Sequence, residues 1–249
     1  MRYISICLTI SCCLLLCLEK VSAEDGSFLR KQVHPISVEI WNRPSPKGKV
    51  SDDMKYMLRQ NNKYTLNKWS REIKRFQEQT GEYFDFGGKT EHFIRPVSHH
   101  IFTLALCLKL HVYDSAVTHV SEEKASEFVI KLIRSVAYRY KSNIGEEGWG
   151  DQWQSALWAS QIAEGAWFIW NELSASDQEL VCRMMVHEAD RFLNYKVPYY
   201  RDITGKILSK GDTKAEENAW NSNILTIATA MMPEHNHYDG WMRKNIELQ

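Results

Sequence analysis

The sequence predicts an all-α fold, and more specifically an α/α toroid of helical hairpins. Apolar residues recur at helical spacing along most of the chain, and no long stretch alternates as a strand would. Helices that are apolar on several faces alternate with helices that carry one apolar stripe, which is the pattern of inner and outer layers. This alternation recurs at roughly 55 to 65 residues, the scale of a helical-hairpin repeat.

The amino-terminal segment is predicted to be a signal peptide spanning residues 1–23. Arg2 precedes an apolar run over residues 3–18, and small residues follow at 21–23, as at a cleavage site. About 16 apolar residues fall short of the roughly 20 that a membrane-spanning helix needs. We therefore expect a secreted or periplasmic protein with no membrane span in the mature chain; a lipoprotein is the weaker alternative.

Composition narrows the classes of function. With 31 basic and 31 acidic residues, the chain has no charge bias that favours binding to nucleic acid. Four of the six cysteines lie in the signal segment, which leaves Cys107 and Cys182, too few for a disulfide scaffold. These two could form one bridge or remain buried thiols. Nine Trp and eleven Tyr residues are typical of surfaces that combine apolar faces with polar edges, such as sugar clefts.

The first elements are predicted as follows. Residues 24–60 form an extended leader and a first short helix, and residues 61–249 form the toroid domain. A helix covers 64–80 and stops at Gly81. The segment 96–113 is apolar nearly all round and is predicted to be an inner helix. Ser121 then caps a charged outer helix with a single apolar stripe.

The same alternation continues to the end of the chain. Residues 153–173 form the second inner helix, and Ser174 begins the outer helix that runs to about residue 195. A third inner helix covers 216–232, stops at Pro233, and is followed by an outer helix from near Tyr238. Three such pairs are fewer than a closed toroid needs, so an incomplete toroid, truncated at its carboxyl terminus, is expected.

Polar and aromatic residues cluster where the three inner helices begin, at 95–100, 149–154 and 216–221. In a toroid these helix starts share one rim, and their backbone N–H groups and dipoles point at a bound anion. The sequence therefore places the candidate site at this rim.

Two longer motifs carry a resemblance to a known group of proteins. The run WGDQWQSALWA at 149–159, followed by WNELS at 170–174, resembles the inner helix and loop of toroid polysaccharide lyases of the chondroitin AC, alginate and heparinase II/III type. The segments DTKAEENAWN at 212–221 and MMPEH at 231–235 are similar to parts of bacterial toroid proteins of that broad group. The resemblance covers about residues 94–241.

The resemblance implies β-elimination of a polysaccharide that contains uronic acid. In this reaction an amide or a guanidinium neutralises the sugar carboxylate, and a His or Tyr removes the neighbouring proton, which is very weakly acidic until that charge is offset. Mapped by residue type, Asn218 or Gln152 would neutralise the carboxylate. His99 or His100 would be the base.

The same rim allows two other interpretations. In a glycoside hydrolase, Asp151 and Glu217 (or Glu216) would serve as the carboxylate pair across a glycosidic bond. The protein could also bind a partner on a concave helical surface without catalysing a reaction. In all cases the expected ligand is a polysaccharide or oligosaccharide, and the candidate binding residues are Arg95, Trp149, Trp153, Trp220 and Asn221.

No metal ion or cofactor is expected. His235 and His237 lie close together with Glu234 and Asp239 nearby, but they fall in a predicted turn away from the rim and lack a further ligand. The chain has no glycine-rich phosphate loop after a strand and no Gly-x-Ser-x-Gly elbow.

Overall fold

A computed structural model describes residues 25–36, 49–196, 200–201, 204, 206–209 and 215–249; for residues 49, 69–75, 77, 200–201 and 207–209 it describes the backbone alone. The proposed signal peptide therefore lies outside the described residues. The described chain is all-α apart from one small hairpin. Its helices are α1 Gly26–Lys31, α2 Lys49–Gln77, α3 Glu91–Lys109, α4 Ser115–Thr118, α5 Glu122–Tyr138, α6 Lys141–Ile144, α7 Ser155–Phe168, α8 Ala175–Asp190, α9 Ala215–Met231 and α10 Tyr238–Leu248.

The longer helices form hairpins in two layers. Helices α3, α7 and α9 lie side by side, while α5 packs on α3, α8 on α7 and α10 on α9. Helices α3 and α7 run parallel, because Ser98 Oγ meets Gln161 Oε1 at 2.8 Å and Gly165 lies against Ile101 further along both helices. Trp153 contacts Trp220 near the beginnings of α7 and α9. The starts of the inner helices are therefore at the same end of the molecule.

Side-chain caps fix the beginnings of two outer helices, as the sequence predicts. Ser121 Oγ accepts a hydrogen bond from the Lys124 N–H before α5, and Ser174 Oγ accepts one from the Asp177 N–H before α8. The predicted start of the first inner helix is wrong: α3 begins at Glu91, and Pro96 lies inside it. The ion pair between Glu91 and Arg95 spans the helical turn that precedes the proline and supports the helix there.

The leader differs from the expected extended segment. It contains α1, which packs on α8 with an ion pair of 3.2 Å between Arg30 and Glu179. The chain then passes the ends of two inner helices, where Trp167 Nε1 donates to the His34 carbonyl at 2.7 Å. Helix α2 is one continuous helix of 29 residues, so the domain boundary suggested near residue 60 falls inside it.

Large buried side chains of the two layers form a single core, among them Trp158, Trp241, Leu104 and Met184. Cys107 and Cys182 are both free and buried. Two short strands, β1 Tyr200–Arg201 and β2 Ile207–Ser209, pair antiparallel before α9, a hairpin too short to show as alternation in the sequence. Within the described residues, no helix has the length and apolar character required to span a membrane.

Candidate functional site

A cleft of about 440 Å³ lies between α2 and α3 and reaches α7. Its walls are mostly polar or aromatic side chains with few apolar ones between them. Asn61, Tyr64, Thr65 and Lys68 come from α2; Arg95, Pro96, His99, His100, Phe102 and Thr103 come from α3; Gln161 comes from α7. Three residues proposed from sequence, Arg95, His99 and His100, thus line one cavity.

His99 is a neutral imidazole at the exposed side of this cleft. Although the residue is exposed, neighbouring protein atoms desolvate the ring and lower its pKa below 6.5, and the positive charges of Arg95 and Lys68 lower the pKa further. Nη1 of Arg95 donates to Glu91 at 2.7 Å. A neutral imidazole beside two cations can accept a proton while the cations hold an anion.

His100 points into the protein interior. The residue is buried, and this burial, followed by the charges of Lys68 and His99, lowers its pKa to about 3. It is therefore neutral at physiological pH and less accessible than His99. Of the two bases that the sequence offered, His99 is the one that faces the open cleft.

Sequence analysis missed Tyr64, Lys68 and Gln161 as cleft residues. The spacing of Tyr64 and Lys68, one helical turn apart, places them on one face of α2, but the sequence does not show that α3 lies beside it. Gln161 joins the cleft through its contact with Ser98. One turn beyond it on α7, burial raises the pKa of the Glu164 carboxyl.

The second predicted opening has a different structure, because Asp151 belongs to an ion cluster. Its carboxylate lies 2.5 Å from Lys141 Nζ, 3.1 Å from His187 Nε2 and 3.3 Å from Arg191 Nε. Burial raises the pKa of Asp151, but the hydrogen bonds from Lys141 and His187 outweigh this effect, and the pKa lies below its usual value. A carboxylate held by three basic side chains is poorly suited to serve as a general acid or base.

A fully buried carboxylate continues this cluster into the core. Glu188 accepts hydrogen bonds from the Tyr140 hydroxyl and from Arg191 Nη1, and from Ser155 Oγ at 2.7 Å. Burial raises the pKa of Tyr140 well above its usual value, and the negative charge of Glu188 raises it further. The cluster therefore ties α8 to the first residue of α7 and to the end of α5.

Gln152 and Trp149 are also used inside the structure. Gln152 Nε2 donates to the Lys89 carbonyl at 3.1 Å, so its amide connects the loops before α3 and α7. Trp149 is only 1% exposed, and its Nε1 donates to the Val136 carbonyl at 2.8 Å. Its expected role in stacking on a sugar is wrong for this conformation, because protein atoms enclose the ring.

Trp153 and Trp220 form an aromatic pair in which Trp220 is half-buried. Their ring centroids are 5.3 Å apart with an interplanar angle of 61°, and Trp153 is 57% exposed. The side chains come from the beginnings of α7 and α9, as the sequence analysis expected of a shared rim. Such a pair offers apolar faces and two indole N–H groups to a ligand.

The third opening places its amides inward. Asn218 and Asn221 are 3% and 5% exposed, while Glu217 is half-buried beside them. Within the described part of the chain, Asn218 Oδ1 has no hydrogen-bond partner. This burial contradicts the predicted roles of Asn218 in neutralising a carboxylate and of Asn221 in binding.

The structure gives no residue set for a metal ion. No group of three or more His, Cys, Asp and Glu side chains in the described ranges has suitable geometry. His235 stacks on Trp241 of α10 at 4.4 Å. His237 contacts Asp190 at 2.9 Å, so its ring joins α8 to the α9–α10 hairpin.

Comparisons with protein-family models, curated protein sequences and solved structures found no significant match to the chain.

Proposed function

We propose that the protein is an exported polysaccharide lyase of the α/α-toroid type, which cleaves a glycan containing uronic acid by β-elimination in the α2–α3 cleft. The observation that carries this proposal is the neutral His99 imidazole in a cavity with Arg95 and Lys68. Elimination requires a neutral base and positive charge in one place, and this cleft provides both.

The roles follow from the chemistry of these groups. Arg95 and Lys68 bind the sugar carboxylate and offset its charge, which makes the proton on the adjacent carbon more acidic. His99 accepts that proton, a carbon–carbon double bond forms, and the bond to the leaving glycosidic oxygen breaks with its electron pair on oxygen. The Tyr64 hydroxyl, which lines the same cleft, supplies a proton to that oxygen and regains one from solvent.

The Trp153–Trp220 pair supports a polymeric substrate. Trp153 lies two residues before α7, and Gln161 lies about 9 Å along the helix from its first residue, Ser155. A glycan in the cleft can therefore extend along α7 to the aromatic pair. Stacking there would bind sugar rings without contributing to the chemical step.

Elimination is favoured over hydrolysis by the state of Asp151. The hydrolytic alternative uses Asp151 and Glu217 as acid and base, but Asp151 is bonded to Lys141, His187 and Arg191. Among the described residues that line the cleft with His99, none is a carboxylate. Its chemistry therefore matches proton abstraction beside a carboxylate better than hydrolysis by a carboxylate pair.

The test uses the full chain and a panel of uronic-acid polysaccharides. The conjugated product of elimination absorbs ultraviolet light, so we expect an absorbance rise that His99→Ala reduces by about 10²–10⁴-fold. Arg95→Ala is expected to reduce the rise as well. The matched control is His92→Ala, which removes an exposed histidine from the same helix outside the cleft.

The alternative products give clear contrary results. New reducing ends without the absorbance rise would identify a hydrolase and overturn elimination. Binding without any cleavage would identify a glycan-binding protein. An absorbance rise that persists in His99→Ala would remove His99 from the proposed role.

A further inference from the structure

The turn before α7 has an unfavourable backbone conformation, which contacts with other parts of the protein must stabilise. Gly150 has φ +131° and Asp151 has φ +56°, two consecutive residues in a region that L side chains rarely adopt. A Cβ at Gly150 would lie 2.7 Å from the Tyr140 ring. Few backbone conformations are therefore possible at residues 150–151. Trp153 follows this turn after one further residue.

Elements on two sides hold this turn through Asp151. Lys141 comes from the start of α6, whereas His187 and Arg191 come from the end of α8 and the turn after it. The backbone adds two further connections: the Lys141 N–H donates to the Trp149 carbonyl at 2.9 Å, and the Trp149 N–H donates to the Arg139 carbonyl at 2.9 Å. The carboxylate is therefore the point at which α6 and α8 both contact the turn.

We propose that Asp151 is a positioning residue for Trp153: its contacts with Lys141, His187 and Arg191 set the turn so that the Trp153 ring pairs with Trp220 and presents a sugar-binding platform. This inference rests on the proposed function for the nature of the ligand. It assigns Asp151 to substrate affinity instead of acid–base chemistry.

The structure separates this role from general support of the fold. Glu188, Ser155 and Tyr140 hold the first residue of α7 through the buried part of the cluster. Asp151 lies in the outer part, with its side chain 37% exposed. Loss of its charge is therefore expected to release the turn and leave α7 in place.

The test is a double-mutant cycle with Asp151→Asn and Trp153→Ala. Asparagine retains the shape of aspartate and tolerates positive φ, so the variant removes mainly the charge. Each single variant is expected to raise KM for a polysaccharide about 3- to 10-fold with kcat unchanged, the size of a lost aromatic contact. The double variant is expected to equal Trp153→Ala, because Asp151 acts through Trp153.

Two controls exclude simpler explanations. Glu146 is the other anion near Lys141, and its side chain is 90% exposed. Glu146→Gln should leave KM unchanged. Val129→Ala creates a space in the core at α5 and should lower the melting temperature without a change in KM. A KM rise in Val129→Ala would mean that global stability, and not the turn, determines affinity.

A second measurement does not depend on activity. The Trp153 indole N–H resonance should be shifted by the neighbouring Trp220 ring in the unmodified protein, and Asp151→Asn should move it toward the position found in Trp220→Ala. An unchanged resonance in Asp151→Asn would overturn the positioning role, as would additive KM effects in the cycle. An unmodified protein inactive on every polysaccharide, with the resonance shift intact, would overturn the proposed function alone.

Discussion

Polar side chains lie near the beginnings of both α3 and α7, yet the two regions form different kinds of structure. At α3, Arg95 and His99 face a cleft, and the structure gives Lys68 across from them no acidic partner in the described part of the chain. At α7, Asp151 and its neighbours join an ion cluster that is connected to the buried Glu188. At α3 the polar residues line an open cleft in which Arg95 is paired with Glu91, whereas at α7 they form a closed ion cluster.

The difference comes from the neighbouring helix. Helix α8 brings His187, Glu188 and Arg191 to the start of α7, so every charge there meets an opposite one. Helix α2 brings Lys68 and Tyr64 to α3, and no carboxylate is among the described α2 residues that line the cleft. At these two helix starts, the adjacent helix therefore determines whether the polar residues line a cleft or join an ion cluster.

The largest effect is expected when the support at α7 is broken. Glu188→Ala removes a fully buried carboxylate and leaves the Tyr140 hydroxyl and Arg191 without that partner. Breaking a buried charge pair costs about 3–5 kcal/mol of unfolding free energy, which is a large share of a typical total. Urea denaturation followed by circular dichroism measures this loss.

The exposed Glu146 is the matched control for Glu188. Its carboxylate is 90% exposed and lies 3.5 Å from Lys141, so Glu146→Gln should change the unfolding free energy by less than about 0.5 kcal/mol. Equal effects of the two substitutions would mean that the buried cluster does not hold α7.

The next effect concerns the backbone of the same turn. Gly150→Ala places a methyl group against the Tyr140 ring at a φ that disfavours alanine, and strain of this kind costs about 1–3 kcal/mol. Gly145→Ala is the comparison, since its φ is also positive but open space surrounds it. If both variants lose the same stability, the contact with Tyr140 is unimportant.

The buried histidine of the cleft gives a pH-dependent effect. The folded protein keeps His100 neutral with a pKa of about 3, against 6.5 for an unperturbed histidine. The unfolded chain therefore binds one more proton between these values, and stability is lost as the pH falls below 6.5. At about 1.4 kcal/mol per pH unit, this group contributes a loss of about 2 kcal/mol between pH 6.5 and 5.0.

Comparison with His100→Asn isolates that contribution. Urea denaturation at several pH values should show a shallower loss of stability in the variant over this range. Parallel pH profiles for the two proteins would show that His100 is not the group that takes up the proton on unfolding.

The sequence predicted the hairpins well because their signals are local. The caps at Ser121 and Ser174 and the stop at Pro233 each depend on a few neighbouring residues. The directions of side chains in the openings were not predictable in this way. Trp149 is buried and Trp153 exposed because two residues with positive φ lie between them, and the contacts that hold this turn come from α8, far away in sequence.

The smallest expected effect is on the open surface at α3. Lys68→Met removes one of the cations that lower the His99 pKa, so this pKa should rise in an NMR titration while the unfolding free energy changes by less than about 0.5 kcal/mol. The matched control is Lys131→Met, at a lysine 4.4 Å from the Phe84 ring, which should leave the His99 titration unchanged. Only neutral His99 accepts a proton, so activity falls as the pH drops below the pKa of His99. In Lys68→Met this fall in activity should therefore occur at higher pH. If the pH dependence of activity stays unchanged while the His99 pKa rises, His99 does not take part in the catalytic step. The α3 opening would then be a binding surface, and the reaction would take place at another site.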